Sequence, residues 1–192
     1  MRDFIDEIIK SSIDASSYLY GQTESLYAAS DIIEERFKQG YKLFTFGNGG
    51  SAADAQHIAA EFVGRFKREN VRKSLPAIAL TTDSSFLTAW SNDSDFSTIF
   101  ERQIESLAKT NDILYGISTS GNSENVIKGL EKGKEIGTYN ISLTGRDGGR
   151  VKELSDININ IPSYETARIQ EAHILAYHII CELVENKFMS QK

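Results

Sequence analysis

The sequence predicts an α/β fold: one three-layer domain whose mostly parallel sheet is flanked by helices, preceded by two extra N-terminal helices. Three observations predict it. Short apolar runs alternate with helical patterns from Tyr41 onward, the connections have crossover length, and the segment before Gly40 is helical in period with no strand in it.

From Asp3 to Tyr20, Phe4, Ile5, Ile8, Ile9, Ile13 and Leu19 recur at the spacing of an amphipathic helix. Leu26, Ala29, Ile32, Ile33 and Phe37 continue the pattern to Gly40, a natural stop. These helices, over about 3–39, either cover the domain or pack against another copy. Tyr41–Phe46 then reads as a strand, Ser51–Phe66 as a helix and Ala77–Leu80, after Pro76, as a second strand. Helical stretches near Ser85–Trp90 and Phe96–Ala108 lead to a strand at Ile113–Ser118 and a helix at Ser123–Ile136. A strand at Tyr139–Leu143, a short helix near Val151–Leu154 and a strand at Ile157–Ile161 follow. Thr166–Phe188 is a long helix without internal Gly or Pro, which closes an α/β core of about 41–188. No repeat or linker divides residues 1–192.

The chain has 192 residues, 40% hydrophobic and 25% charged, enough apolar material for one core. Its N-terminus lacks the unbroken apolar stretch of a secretory signal, and no run reaches membrane-spanning length, so the reading is a cytoplasmic protein without a membrane partner. The single cysteine, Cys181, excludes an intrachain disulfide and falls in an apolar helical stretch, as core packing would place it. A net charge of −6 argues against nucleic acid as a partner, which needs an extended positive surface. One phosphate needs only local hydroxyls and backbone N–H groups. The basic cluster Arg65, Lys67, Arg68, Arg72 and Lys73 reads as a solvated loop, or else as the rim of an anionic-substrate site.

Two strand-to-helix turns stand out. Phe46-Gly47-Asn48-Gly49-Gly50-Ser51 can bend tightly and aim N–H groups at a ligand, though a glycine-rich turn taken alone is more often just a turn. It is neither a Walker A nor a Rossmann fingerprint. Ser118-Thr119-Ser120-Gly121-Asn122-Ser123 surrounds one glycine with four hydroxyls, which donate to phosphate without adding charge. Ser123 alone reads equally as an N-cap. On the helix after the first turn, His57 and Glu61 stand four apart and share a face.

These stretches, GNGGSAADAQHIAAE, Asn92-Asp93, STSGNS and ARIQEAHILAYH, resemble the sugar isomerase domain family over nearly the whole chain. Within that family the pattern is most similar to the phosphoheptose isomerases. The resemblance implies a flavodoxin-like sheet and a ketose–aldose isomerase acting on sedoheptulose 7-phosphate, for lipopolysaccharide, lipooligosaccharide or capsule. It implies that Ser118, Thr119, Ser120 and Ser123 hold the phosphate. Asn48, Gly49, Gly50, Ser51, Glu61, Gln170 and the Asn92–Asp93 pair are implied to contact the sugar; the pair alone reads as a helix-ending turn. Some members carry Asp where this chain has Ala167.

Isomerisation through an enediol needs a base that takes a proton beside the carbonyl and returns it to the neighbouring carbon, and a group that stabilises the oxygens. By resemblance Glu61 is that base and His178 the acid. The resemblance also implies one zinc ion per site on His57, Glu61, Gln170 and His178, in a homotetramer. Coordination lowers a carboxylate's basicity, which sets the two duties of Glu61 against each other. Gln170 and His178 are eight residues apart, which is about 12 Å of helical rise. Either the helix begins after Gln170, or the two come from different chains; the second is the expectation, with active sites at subunit interfaces. His173 reads as packing or an interface contact. Competing readings are a non-enzymatic relative that binds the replication initiator, an isomerase of another phosphosugar, and a sugar-phosphate sensor. The last would need a DNA-reading module that the acidic N-terminal helices do not supply.

Overall fold

In the computed structural model, which describes residues 2–190, five parallel strands form one sheet in the order β2-β1-β3-β4-β5. They are β1 (Leu43–Gly47), β2 (Ala77–Ala79), β3 (Ile113–Ser118), β4 (Tyr139–Gly145) and β5 (Ile157–Ile161). β1 and β3 are buried along their whole length, as their unbroken apolar runs demand of central parallel strands. Successive residues serve opposite layers. Leu43 of β1 joins the core under one set of helices and Phe44 joins the core under the other.

The helices are α1 (Arg2–Ser17), α2 (Thr23–Lys38), α3 (Gly50–Val63), α4 (Ser84–Asp93), α5 (Ile99–Leu107), α6 (Glu124–Ile136), α7 (Gly149–Glu153) and α8 (Thr166–Met189). On one face α2, α3 and α8 bury Ile33, Ile58, Phe62, Ile180 and Val184 against the sheet. On the other, α4 to α7 enclose Phe100, Ile104, Val126 and Leu130. The N-terminal pair does not form a separate layer: α2 packs in the sheet-facing core, and α1 contacts α8. The apolar stripe of α1 stays uncovered, with Phe4 64% and Ile13 62% exposed. Cys181 is a buried core residue.

Several boundaries differ from expectation: the first helix ends at Ser17 and passes into a 3-10 turn over Tyr18–Gln22, β1 and β2 are displaced or shortened by one or two residues, and β4 runs on to Gly145. At three places the reason is identifiable. α3 stops at Val63 rather than Phe66, because the buried carboxylate of Glu185 takes the backbone N–H groups of Phe66 (2.9 Å) and Lys67 (2.8 Å). α4 starts earlier because Asp83 caps it, accepting from Phe86 N at 2.9 Å, and it runs on through Asp93. The stretch expected over Phe96–Ala108 divides into a 3-10 turn, capped by Asp95, and α5.

Strand order reverses direction between β1 and β3, and in open α/β sheets ligands bind beyond the strand ends at such a switch point. Gly47 pairs with Ile117 there, so the glycine turn and the serine turn leave adjacent strand ends side by side.

Candidate active site

The glycine turn opens α3 through Gly49, whose φ of 57° and ψ of −121° lie outside what side-chain-bearing residues readily adopt. Ser51 is buried in the first turn of α3. Asn48 reaches sideways and exchanges two hydrogen bonds with Asn125 in the first turn of α6, a residue that sequence reasoning did not mark. Only its burial at a polar position of α6 distinguishes it.

In the serine turn, Ser118 is 2% exposed and its hydroxyl lies 2.9 Å from that of Ser123 and 3.4 Å from that of Ser120. Ser123 occupies the cap position of α6 but makes no side-chain cap bond, so capping does not account for its hydroxyl. Ser120 Oγ accepts from Asn122 N at 3.1 Å. Thr119 is half-buried in the same turn, and its carbonyl packs beside Gly145 at the end of β4. Gly121 sits at φ 68° with the backbone of Gly148 against it: a Cβ there would lie 2.2 Å from the Gly148 oxygen. The loop after β4 therefore supports the serine turn from behind, a role the sequence did not announce.

Farther along α3, His57 Nε2 is 2.9 Å from Glu61 Oε1. The His178 ring from α8 stands 5.1 Å, centroid to centroid, from that of His57. One ligand atom from each of His57, Glu61 and His178 lies within 4.8 Å of the others. Burial first, and His57 second, hold the His178 imidazole below its ordinary value, while Glu61 opposes them. His57 Nδ1 faces the Tyr177 hydroxyl at 3.0 Å, and that hydroxyl donates to buried Asp54. Burial pushes the Asp54 carboxyl up; the bond from Tyr177 and the nearby His57 oppose it.

Gln170 lies elsewhere. α8 already runs at Thr166, so a helix starting after Gln170 is excluded, and Gln170 and His178 stand about 12 Å apart along one axis. The Gln170 amide packs on Gly50, where a Cβ would meet its Nε2 at 2.4 Å. The chain thus carries two groupings, the two turns with Gln170 and the His57, Glu61, His178 cluster. Ser51 and Glu61 are ten residues apart on α3, about 15 Å of rise. Asn92 and Asp93 lie exposed in the last turn of α4, joined to each other by a 2.7 Å hydrogen bond. Ala167 is exposed at the start of α8.

Two other expectations resolve. His173 is fully buried and points into the sheet, donating to the Thr144 carbonyl at 3.0 Å; burial lowers its pKa to about 4 against that bond, and its role is packing. The basic cluster is not uniformly solvated. Arg65, Arg68 and Lys73 are exposed, but the Arg72 side chain is 5% exposed. Its guanidinium donates to Glu185 at 3.0 Å and to the carbonyls of Phe62 and Glu61 at 2.8 Å each. The loop after α3 has no strand or helix of its own, and this fork supplies its anchoring.

A SIS domain family model matches residues 9–145. The chain is 57% identical over 167 residues to a phosphoheptose isomerase of Aquifex aeolicus, covering 87% of this chain and 85% of that protein. Against one from Clostridium acetobutylicum the identity is 48% over 195 residues, covering 100% and 98%. The solved structure of the phosphoheptose isomerase from Neisseria gonorrhoeae superposes with a TM-score of 0.90 at 39% identity, covering 96% of this chain and 98% of that one. The chain therefore belongs to the SIS domain family and, within it, to the phosphoheptose isomerases.

Proposed function

We propose that the chain converts sedoheptulose 7-phosphate to D-glycero-D-manno-heptose 7-phosphate through an enediol, at sites shared between chains of a cytoplasmic homotetramer. The product would feed surface heptose of a lipopolysaccharide, lipooligosaccharide or capsule. Family membership makes the protein an aldose–ketose isomerase; the substrate, the site roles and the assembly are our reading. It treats residues 1–192 as one SIS domain.

The observation that carries this reading is the division of site residues into two groupings within one chain. A seven-carbon sugar phosphate seated at the switch point would have its phosphate on the hydroxyls of Ser118, Thr119, Ser120 and Ser123. Asn48, Gly49, Gly50, Ser51 and Gln170, with Asn92 and Asp93, would surround its hydroxyls. The reacting carbons need Glu61, which its own helix carries about 15 Å away from Ser51. Another chain's cluster supplies the second half. The surface for such packing is present: a groove of about 540 Å³ lined by Ile13, Leu19, Tyr20, Tyr27 and Leu175 continues the exposed apolar stripe of α1.

Glu61 takes the proton from C1 of the ketose and returns it to C2, while His178 moves the proton between the two oxygens. Oε1 of Glu61 meets His57, so Oε2 is the oxygen left for the transfer. Two imidazole nitrogens and a carboxylate oxygen within 4.8 Å suit zinc, with Gln170 of a neighbouring chain as fourth ligand. Bound there, zinc supplies Lewis-acid polarisation of the sugar oxygens. Among the described residues no helix is long and apolar enough to cross a membrane.

Incubation with sedoheptulose 7-phosphate in heavy water, followed by NMR, tests the reading. It expects aldose product carrying deuterium at C2, and loss of turnover with a chelator that zinc restores. Folded, zinc-loaded protein that gives neither product nor exchange overturns it.

A further inference from the structure

α3 and α8 lie side by side, and their contact carries a polar chain that the isomerisation itself does not use. Asp54, one turn before His57 on α3, is 7% exposed, and its Oδ2 has no hydrogen-bond partner among the described residues. Its Oδ1 accepts from the Tyr177 hydroxyl at 3.5 Å. Tyr177 is 1% exposed, and the same hydroxyl oxygen lies 3.0 Å from His57 Nδ1. The His57 side chain is 46% exposed, and its ring is met at Nε2 by Glu61 and at Nδ1 by Tyr177. The ring stands edge-on to Tyr177, at an interplanar angle of 75°.

A free imidazole on an exposed helix face turns about its bonds and exchanges its hydrogen between two nitrogens. A hydroxyl both donates and accepts. With its hydrogen turned toward the Asp54 carboxylate, 3.5 Å away, the Tyr177 oxygen can accept from His57 Nδ1 at 3.0 Å. From this geometry we infer that Tyr177, backed by Asp54, is a positioning residue. It receives the His57 Nδ1–H when a divalent cation takes the place of the hydrogen between His57 Nε2 and Glu61 Oε1, which lie 2.9 Å apart, and so presents Nε2 to that cation beside His178. The inference rests on the proposed reading of His57 as a zinc ligand. It adds a tyrosine–aspartate support behind that ligand, of the kind that orients metal-bound imidazoles and raises their basicity.

The test is zinc affinity, measured by competition with a chromophoric chelator on the full chain, alongside thermal melts of the metal-free protein. Tyr177→Phe keeps the ring and removes the hydroxyl. It is expected to weaken zinc binding by about 10- to 100-fold, with the metal-free melt displaced far less than the zinc-loaded one. Asp54→Asn, which keeps an acceptor oxygen, should retain more affinity than Asp54→Leu. Nitrogen-15 NMR of the zinc-loaded natural protein supplies a readout that does not depend on any variant folding. It should show His57 carrying its hydrogen on Nδ1. Tight zinc binding that Tyr177→Phe leaves within twofold, or a His57 protonated at Nε2 in the loaded protein, overturns the inference while leaving the proposed function in place. Failure of the natural protein to bind zinc through His57 overturns both.

Discussion

Asn48 and Asn125 exchange two hydrogen bonds, each 2.8 Å long, between the glycine turn and the first turn of α6. The pair ties together the two turns that flank the switch point and fixes their spacing. Asn125→Asp keeps the shape, removes the donor to Asn48 and adds a negative charge beside the proposed phosphate position. Expected are a higher KM with a smaller change in kcat, and a loss of about 1–3 kcal/mol on urea unfolding. Kinetics and unfolding on the same preparation check both; an unchanged KM contradicts the role given to this pair.

Glu61→Gln keeps size and shape but removes the proton acceptor. Turnover should fall by about 10²- to 10⁴-fold while substrate affinity, read by calorimetry, is kept. Ser120→Ala, by contrast, should act mainly on binding and raise KM. Near-normal turnover in Glu61→Gln would remove the base assignment.

Gly121→Ala places a methyl group where the Gly148 carbonyl already stands, at a φ of 68°. The left-handed backbone alone costs about 1–2 kcal/mol with a Cβ present, and the contact with backbone on the other side adds to it. Melting should show the loss, and phosphosugar affinity should fall with it, since the serine turn must shift. A variant that keeps both the melt and the affinity would mean that this turn is more yielding than its geometry indicates.

Glu185 is expected to contribute to acid stability. Its desolvation would raise its pKa, but hydrogen bonds from Asn70, from the N–H groups of Lys67 and Phe66 and from Arg72 outweigh that and lower it from 4.5. A lowered carboxylate contributes stability that is present above its unfolded value and is lost as pH falls through the folded one. The loss should therefore begin near pH 4.5 and continue below it. Glu185→Gln should flatten that acid limb. At neutral pH it should cost about 3–5 kcal/mol, because the Arg72 guanidinium is left buried without its counter-charge. Arg72 also holds the Glu61 carbonyl, so activity should decline as well. Urea unfolding across the acid range measures both effects.

The layer order, the parallel sheet and the place of both turns were legible in the sequence. Those depend on local period and on glycine and serine chemistry, which a short stretch carries by itself. His57 and Glu61 were legible for the same reason, since one helix turn separates them. Asn125, Asp54, Tyr177 and Glu185 were not. Each acquires its role from a partner distant in sequence, such as Asn125 from Asn48 across 77 residues. Glu185 likewise captures N–H groups from a loop 118 or more residues earlier, which is why the end of α3 was placed too late. Gln170 and His178 were legible as a pair in conflict, because helical rise alone keeps them apart.

The shared site is the central claim, and subunit complementation tests it most directly. Ser120→Asp, which sets a negative charge against the phosphate, and Glu61→Gln each disable one half of the proposed site. Co-expressed with distinct tags and isolated as mixed oligomers, the two inactive chains should regain activity, in about one quarter of sites if chains assort at random. Mixed oligomers of verified composition that remain as inactive as either parent would contradict the account, and would place both halves of the site in one chain.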